Sequence, residues 1–195
     1  MRALYPIIAL FISTSGYSQG SGLGLKLGGN LSYLASETFE QNEYLFGTHG
    51  GIYFPILVRN RFEVQPEILF SMQGGGNKTS NSTTTERLNY IAVPIAVKIY
   101  FSNWFNIQAG PQFSYLVNAR SQYNDTETID NSEGYFKHDF SFLLGIGYDD
   151  HRGLDITLRY VIGMTTLLRE DNIIYPRNRV IQLSIGYRLA QFSSR

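Results

Sequence analysis

No cysteine occurs among the 195 residues, so disulfides, thiolate metal sites and thiol nucleophiles are all excluded. Nor does any run of about 20 apolar residues occur, which excludes a membrane-spanning helix. An excess of one charge is also missing, with 16 Lys and Arg against 16 Asp and Glu, so there is no basic surplus to suit a nucleic-acid partner. With only 3 histidines, a histidine-built metal site has little to draw on. What the chain does have is 43% hydrophobic residues, 14% aromatics and 19 glycines, enough apolar surface for one domain that must hold together without cross-links.

The N-terminus reads as a targeting segment. Arg2 precedes an apolar run from Leu4 to Ile12 broken only by Pro6, and small or polar residues follow from Ser13 to Gln19. Charge, short apolar core and small residues in that order predict a secretory signal peptide over residues 1–18, cleaved between Ser18 and Gln19. Residues 19–195 are then the folded domain. Losing Arg2 leaves 15 basic side chains (16 − 1) against 16 acidic ones.

Beyond that segment the dominant signal is strict alternation, the period of a strand with two unlike faces. Eight stretches carry it: 22–34, 44–58, 62–73, 90–101, 105–118, 136–148, 154–165 and 179–189. In the fourth, Ile91, Val93, Ile95, Val97, Ile99 and Phe101 share one face, while Ala92, Pro94, Ala96, Lys98 and Tyr100 share the other. The connections alternate too: 59–61, 102–104 and 149–153 are short, whereas 35–43, 74–89, 119–135 and 166–178 are long and polar. An even number of antiparallel strands, with tight turns at one end and long loops at the other, predicts an all-β fold, an eight-stranded antiparallel up-and-down transmembrane β-barrel.

A soluble carrier barrel would share this parity but turn its apolar face inward. Three features point the other way. Glycines gather on the polar face (Gly24, Gly28, Gly47, Gly51, Gly110, Gly145, Gly147, Gly163, Gly186), where a narrow interior needs small residues beside large ones. The apolar rows are too bulky to converge inside eight strands. Aromatics also collect near the strand ends (Tyr33, Tyr44, Phe46, Phe101, Trp104, Phe105, Phe136, Tyr148, Tyr187), as at the two interfaces of a membrane. The isoleucine and valine row therefore faces lipid and Lys98 faces the lumen.

Three consecutive motifs carry a family likeness: VQPEILFSMQGGG over 64–76, LNYIAVPIAVKIYF over 88–101 and IQAGPQFSYLV over 107–117. Together they resemble the PorT-like outer-membrane β-barrel family of Bacteroidota-type bacteria. The resemblance extends over the mature chain and implies the eight-stranded barrel and outer-membrane residence, but no single activity. It suggests an accessory of a secretion or envelope-assembly complex. The end of the chain departs from the pattern, since simple alternation gives Phe192 the parity of the lumen. Either Tyr187 and Leu189 supply the outward terminal signal or the strand bulges near Ala190.

An eight-stranded lumen is filled by side chains. Lys26, Glu67, Lys98, Arg159 and Arg188 are predicted at similar depth, with Glu63 and Asp155 below them, and charges confined there must pair. They are expected to form a plug, with a gated path for small solutes as the alternative. Inward His49, with Ser32 at a comparable height, raises a lipid-modifying hydrolase as a third reading, but no inward carboxylate completes a triad. The acidic residues Asp125, Glu127, Asp130 and Glu133 lack the spacing of a calcium loop, and no helix follows Gly20, Gly22 and Gly24 to make a phosphate site. No catalytic, cofactor or metal residues are assigned. Leu167, Leu168, Ile173, Ile174 and Tyr175 give the last long loop an apolar character suited to docking or to packing on the rim. The expected partners are outer-membrane lipid and lipopolysaccharide, with other envelope proteins as further candidates.

Overall fold

A computed structural model describes residues 21–35, 42–59, 61–79, 82–123, 127–130, 132–150, 152–166 and 176–192. The expected signal segment and the five apolar residues of the last loop lie outside the described residues. The strands are β1 (Ser21–Ala35), β2 (Asn42–Glu43), β3 (Leu45–Tyr53), β4 (Leu57–Arg59), β5 (Phe62–Thr79), β6 (Ser82–Tyr100), β7 (Phe105–Tyr123), β8 (Glu127–Asp130), β9 (His138–Asp149), β10 (Leu154–Gly163) and β11 (Arg177–Phe192). The eight longest form one ring: β1, β3, β5, β6, β7, β9, β10 and β11 each pair antiparallel with the next, and β11 returns to β1. Every long strand thus has two neighbours and no edge remains, the form in which a sheet can lie in hydrocarbon. The short β2, β4 and β8 add pairing at the ends of β5 and β7.

Burial is inverted relative to a water-soluble protein. Leu27 is 69% exposed, Ile185 59% and Ile146 58%, while Lys98 and Glu67 on the opposite face are fully buried. The barrel is therefore apolar outside and polar inside, as the glycine and aromatic distribution indicated. Two apolar patches interrupt the polar interior. Leu143, Val161 and Val180 sit side by side on β9, β10 and β11 and join Ala96. Leu34, Leu88, Tyr90, Leu116, Ala119 and Tyr135 cluster toward the long-loop end.

Several expectations need correction. The segment 44–58 is not one strand: β3 stops at Tyr53 opposite Glu67, and β4 resumes at Leu57 opposite Val64, with one extra residue between. Pro55 has no N–H to give to the ladder, so Phe54 and Ile56 donate instead, to the carbonyls of Pro66 and Val64. Segment 74–89 is no open loop. β5 and β6 continue through it as a tall hairpin in which Thr79 pairs with Ser82, because the β-branched run Thr83 to Thr85 suits an extended chain. Likewise β7 runs on to Tyr123 and pairs with β8. Lys137 is exposed rather than luminal, since regular pairing of β9 starts only at His138.

Two bulges also change side-chain direction. Asn89 pairs with Asn118 but Tyr90 pairs with Leu116, so Val117 is inserted and Asn118 leaves the lumen to hydrogen-bond Asn89. On the last strand Leu23 faces Ala190 while Gly24 faces Arg188, which inserts Leu189. Tyr187 and Leu189 both face outward at 52% and 56% exposure, and the ladder beyond resumes one residue out of phase. The side chain of Phe192 lies outside the described residues.

Close strand approach makes some glycines obligatory. A methyl on Gly110 would lie 1.9 Å from the Ile95 carbonyl oxygen, whereas one on outward Gly50 would meet the end of the Leu27 side chain at 3.1 Å and the Lys26 carbonyl oxygen at an ordinary contact distance of 3.5 Å. Gly110→Ala should therefore abolish the heat-modifiable folded band in SDS gels and Gly50→Ala should keep it. Equal folding of both would contradict this packing.

Candidate functional site

Among the described residues, ionisable groups converge in the lumen. Alternation along β1, β5, β6, β10 and β11 turns Lys26, Glu63 and Glu67, Lys98, Asp155 and Arg159, and Arg188 inward. Glu67 is the hub. Arg159 grips it with two nitrogens at 2.8 and 2.6 Å, Lys26 donates at 2.8 Å and Gln65 at 2.6 Å, so both carboxylate oxygens are satisfied. The remaining Arg159 Nε–H donates to Gln108 at 2.8 Å, which fixes the plane of the guanidinium.

Nearer the tight turns a second centre forms around Lys98. Its ammonium lies 2.6 Å from Asp155, 3.2 Å from Asp149 and 3.6 Å from Glu63. Arg188 closes onto Glu63 at 3.1 Å, and Lys26 links the two centres through Asp155 at 3.7 Å. Tyr100 donates to Asp149 at 2.5 Å, and Asn106 donates to the same oxygen at 2.9 Å. All seven charged residues singled out from the sequence thus belong to one connected set, and Asp149 is its eighth member.

Sequence reasoning missed Asp149 by assigning it to the turn 149–153, although its parity matches inward Ser141, Gly145 and Gly147. With it the set holds four bases (Lys26, Lys98, Arg159, Arg188) and four acids (Glu63, Glu67, Asp149, Asp155) and is neutral. An open cavity of about 570 Å³ enters from the turn end. Tyr53, Glu63, Tyr100, Asp149, Asp155 and Arg188 line its inner part, whereas Glu67 and Arg159 do not reach it.

His49 stands above this set, but not against Ser32. The Ser32 hydroxyl lies 3.3 Å from the Leu45 carbonyl and accepts from the Gly74 N–H at 2.9 Å. His49 instead lies 2.7 Å from both Asn30 Oδ1 and Ser184 Oγ. The Asn30 amide nitrogen donates to Ser71 and Met72, so its oxygen accepts; His49 Nδ1 then carries the proton and Nε2 accepts from Ser184. That order resembles a hydrolase relay in connectivity, yet all three residues are buried and none lines the cavity. In the third long connection, Asp130 is occupied by the hydroxyl and backbone N–H of Ser132, which hold its carboxyl below the usual carboxylate range. Asp125 is outside the described residues.

Residues 17–169 match the profile of the outer membrane protein beta-barrel domain. The chain belongs to that family. This places the barrel in the outer membrane, in agreement with its inverted burial. The family is broad, and the match is not specific to the PorT type. Neisserial surface protein A is a similar solved structure, with a TM-score of 0.55, 14% identity, and 87% of this chain and 98% of that one covered. Ail, the attachment invasion locus protein of Yersinia pestis, solved with the heparin analogue sucrose octasulfate, is similar at a TM-score of 0.52 and 14% identity, covering 88% of this chain and 99% of that one. At such identity the likeness establishes the fold alone. Comparison with curated proteins finds no match.

Removing one member of a fully buried ion cluster leaves its partners unpaired, which costs about 3–5 kcal/mol. Glu67→Ala should lose roughly that much stability. Arg188→Ala should lose less, because Arg188 and its partner Glu63 line the open cavity, where water can take the place of the guanidinium. Urea unfolding in lipid vesicles, followed by Trp104 fluorescence, would show the difference, and similar losses would contradict the hub role of Glu67.

Proposed function

We propose that this outer-membrane barrel is closed and non-enzymatic, and that it acts by contact as an accessory of a secretion or envelope-assembly complex. The observation carrying the closure is the stacking of two unlike seals. A neutral ion-pair layer around Glu67 and Lys98 fills the lumen toward the tight turns, and the apolar cluster of Leu34, Leu88, Tyr90 and Leu116 fills it toward the long loops. An ion crossing the first would have to break saturated hydrogen bonds; crossing the second, it would have to shed its water.

The accessory role draws on the PorT-like motifs at 64–76, 88–101 and 107–117, with export through residues 1–18 as a signal peptide. Contacts would then fall to the outer wall, to the β5–β6 hairpin and to the long connections, because binding tends to reside on segments held by a rigid scaffold. Against an enzyme stands the burial of the Ser184–His49–Asn30 relay, which gives no substrate an approach.

The cavity of about 570 Å³ favours a second reading, passage of small solutes, since it penetrates from the turn end as far as Asp155. Planar-bilayer recordings separate the two. Wild-type protein should show no stable conductance, and neither should Glu67→Ala/Arg159→Ala, because the apolar seal persists. Adding Leu88→Ala and Tyr90→Ala should produce steady openings. Large, stable conductance from the wild type would refute closure and establish the transport reading.

A further inference from the structure

At the tight-turn end the lumen opens into the cavity of about 570 Å³, a size typical of ligand pockets. Short turns face the periplasm in barrels of this kind, so the mouth is reached from that side. Its floor is the ion-pair network, where Glu63, Asp149, Asp155 and Arg188 are paired with Lys98 or with one another. The rim differs. Arg61, Asp150 and Arg152 also line the cavity, and none of them enters an ion pair among the described residues. Both arginines are exposed. The sequence places no Asp or Glu in the adjoining residues 57–60 and 151, nor in 1–20 or 191–195.

Backbone hydrogen bonds fix that rim. The Asp150 N–H donates to the Leu154 carbonyl at 2.7 Å, the Gly153 N–H donates to the Asp150 carbonyl at 2.9 Å, and the Gly153 carbonyl accepts from the Arg188 N–H at 2.8 Å. Gly153 has a φ of +99°, a conformation that side chains other than glycine rarely adopt, and it lets the chain turn back here. On the side of β4 and β5, the Arg61 carbonyl accepts from the Tyr100 N–H at 2.9 Å. Two guanidiniums and a carboxylate are thus carried on tied backbone, beside the apolar surfaces of Tyr100, Phe101 and Leu154.

Cations at the rim and acids at the floor make the mouth selective. A phosphate group brings up to two negative charges and acceptor oxygens, so it would be repelled by Glu63, Asp149 and Asp155 as it entered. A bare cation would meet the two guanidiniums first. A peptide C-terminus suits both parts, because it brings one planar carboxylate that matches the arginine fork and amide N–H donors that suit Asp150. Its last side chain can lie against Tyr100, Phe101 and Leu154. We propose that the periplasmic mouth captures the C-terminal carboxylate of a peptide, with Arg61 and Arg152 holding the carboxylate and Asp150 accepting from the peptide N–H. The capture goes beyond the closed-barrel reading, because it needs neither passage through the floor nor a larger complex.

The test is fluorescence anisotropy of an N-terminally fluorescein-labelled Ala-Ala-Leu peptide, as free acid and as C-terminal amide, titrated with the full mature barrel in uncharged detergent micelles and corrected for empty micelles. The acid should bind about tenfold more tightly than the amide, and Arg61→Gln/Arg152→Gln should erase that preference. Arg87→Gln, at the long-loop end, should keep it. Heat-modifiable migration establishes that each variant is folded. If the double variant fails to fold, Arg61→Lys, which keeps the charge without the fork, should show a reduced preference. No binding by the wild type, equal binding of acid and amide, or an unchanged preference in the folded rim variants would overturn the capture. Displacement of the peptide by equimolar acetate would also overturn it, since a free anion would then suffice. So would binding that arises only after residues 193–195 are removed, since the chain's own end would then be the occupant. Planar-bilayer conductance bears on closure alone and leaves this outcome untouched.

Discussion

Hydrocarbon offers no hydrogen bonds, and that constraint shapes everything else in this molecule. Backbone N–H and C=O groups in the wall must find partners within the protein, and eight strands joined in a ring supply them. Once closed, the ring has a dry outer surface and a narrow interior, so the side chains on the two faces must differ in kind. The bulky aliphatic and aromatic rows go outward, and polar groups are forced into a space too small for bulk water. There they bond to one another, as the four donors converging on Glu67 show.

The interior is layered rather than uniform. The ion-pair network lies toward the tight turns, a neutral polar stratum of Asn30, His49, Ser71 and Ser184 follows, and beneath the long connections an apolar cluster sits beside the buried Asn178–Gln73 pair and Asp139. The ion-pair network is balanced, although single buried atoms such as Tyr53 Oη, Thr157 Oγ1 and Asn178 Oδ1 have no hydrogen-bond partner. Four bases balance four acids, and the histidine has an acceptor on one nitrogen and a donor on the other. A lumen whose charges are already paired leaves little for a charged ligand to satisfy there, which shifts attention to the raised hairpin and the long connections.

The barrel was legible because alternation has a period of two and a sheet with one dry face enforces it over many residues, as from Ile91 to Phe101. Luminal charges were legible for the same reason, because Lys98 and Arg159 interrupt apolar strands on the inward parity. Parity failed where a strand gained a residue. Val117 is an insertion that nothing in the local pattern distinguishes from an ordinary outward position, whereas the bulge at Leu189 was signalled by the lumen parity of Phe192, one of the two alternatives open for the end of the chain. Composition misled at 74–89, where a polar, threonine-rich stretch resembles a loop but pairs as a hairpin. Asp149 was hidden by a boundary, since a strand end and a turn look alike when two aspartates adjoin. Partner choice was not legible at all: His49 could have met any inward hydroxyl at its height, and only the stagger between strands selects Ser184 over Ser32.

Proline is unevenly placed around the ring. Pro55, Pro66, Pro94 and Pro111 fall in the consecutive segments from β3 to β7, and the β5–β6 and β6–β7 ladders skip residues beside them. By contrast, the β9–β10 and β10–β11 ladders run without interruption. Each proline lacks an N–H, so the first half of the wall is held by fewer cross-strand bonds than the second. The cylinder is therefore mechanically lopsided. Its pliant side carries the raised hairpin, so bending of the hairpin by an outside contact would leave the wall of β9, β10 and β11 in place.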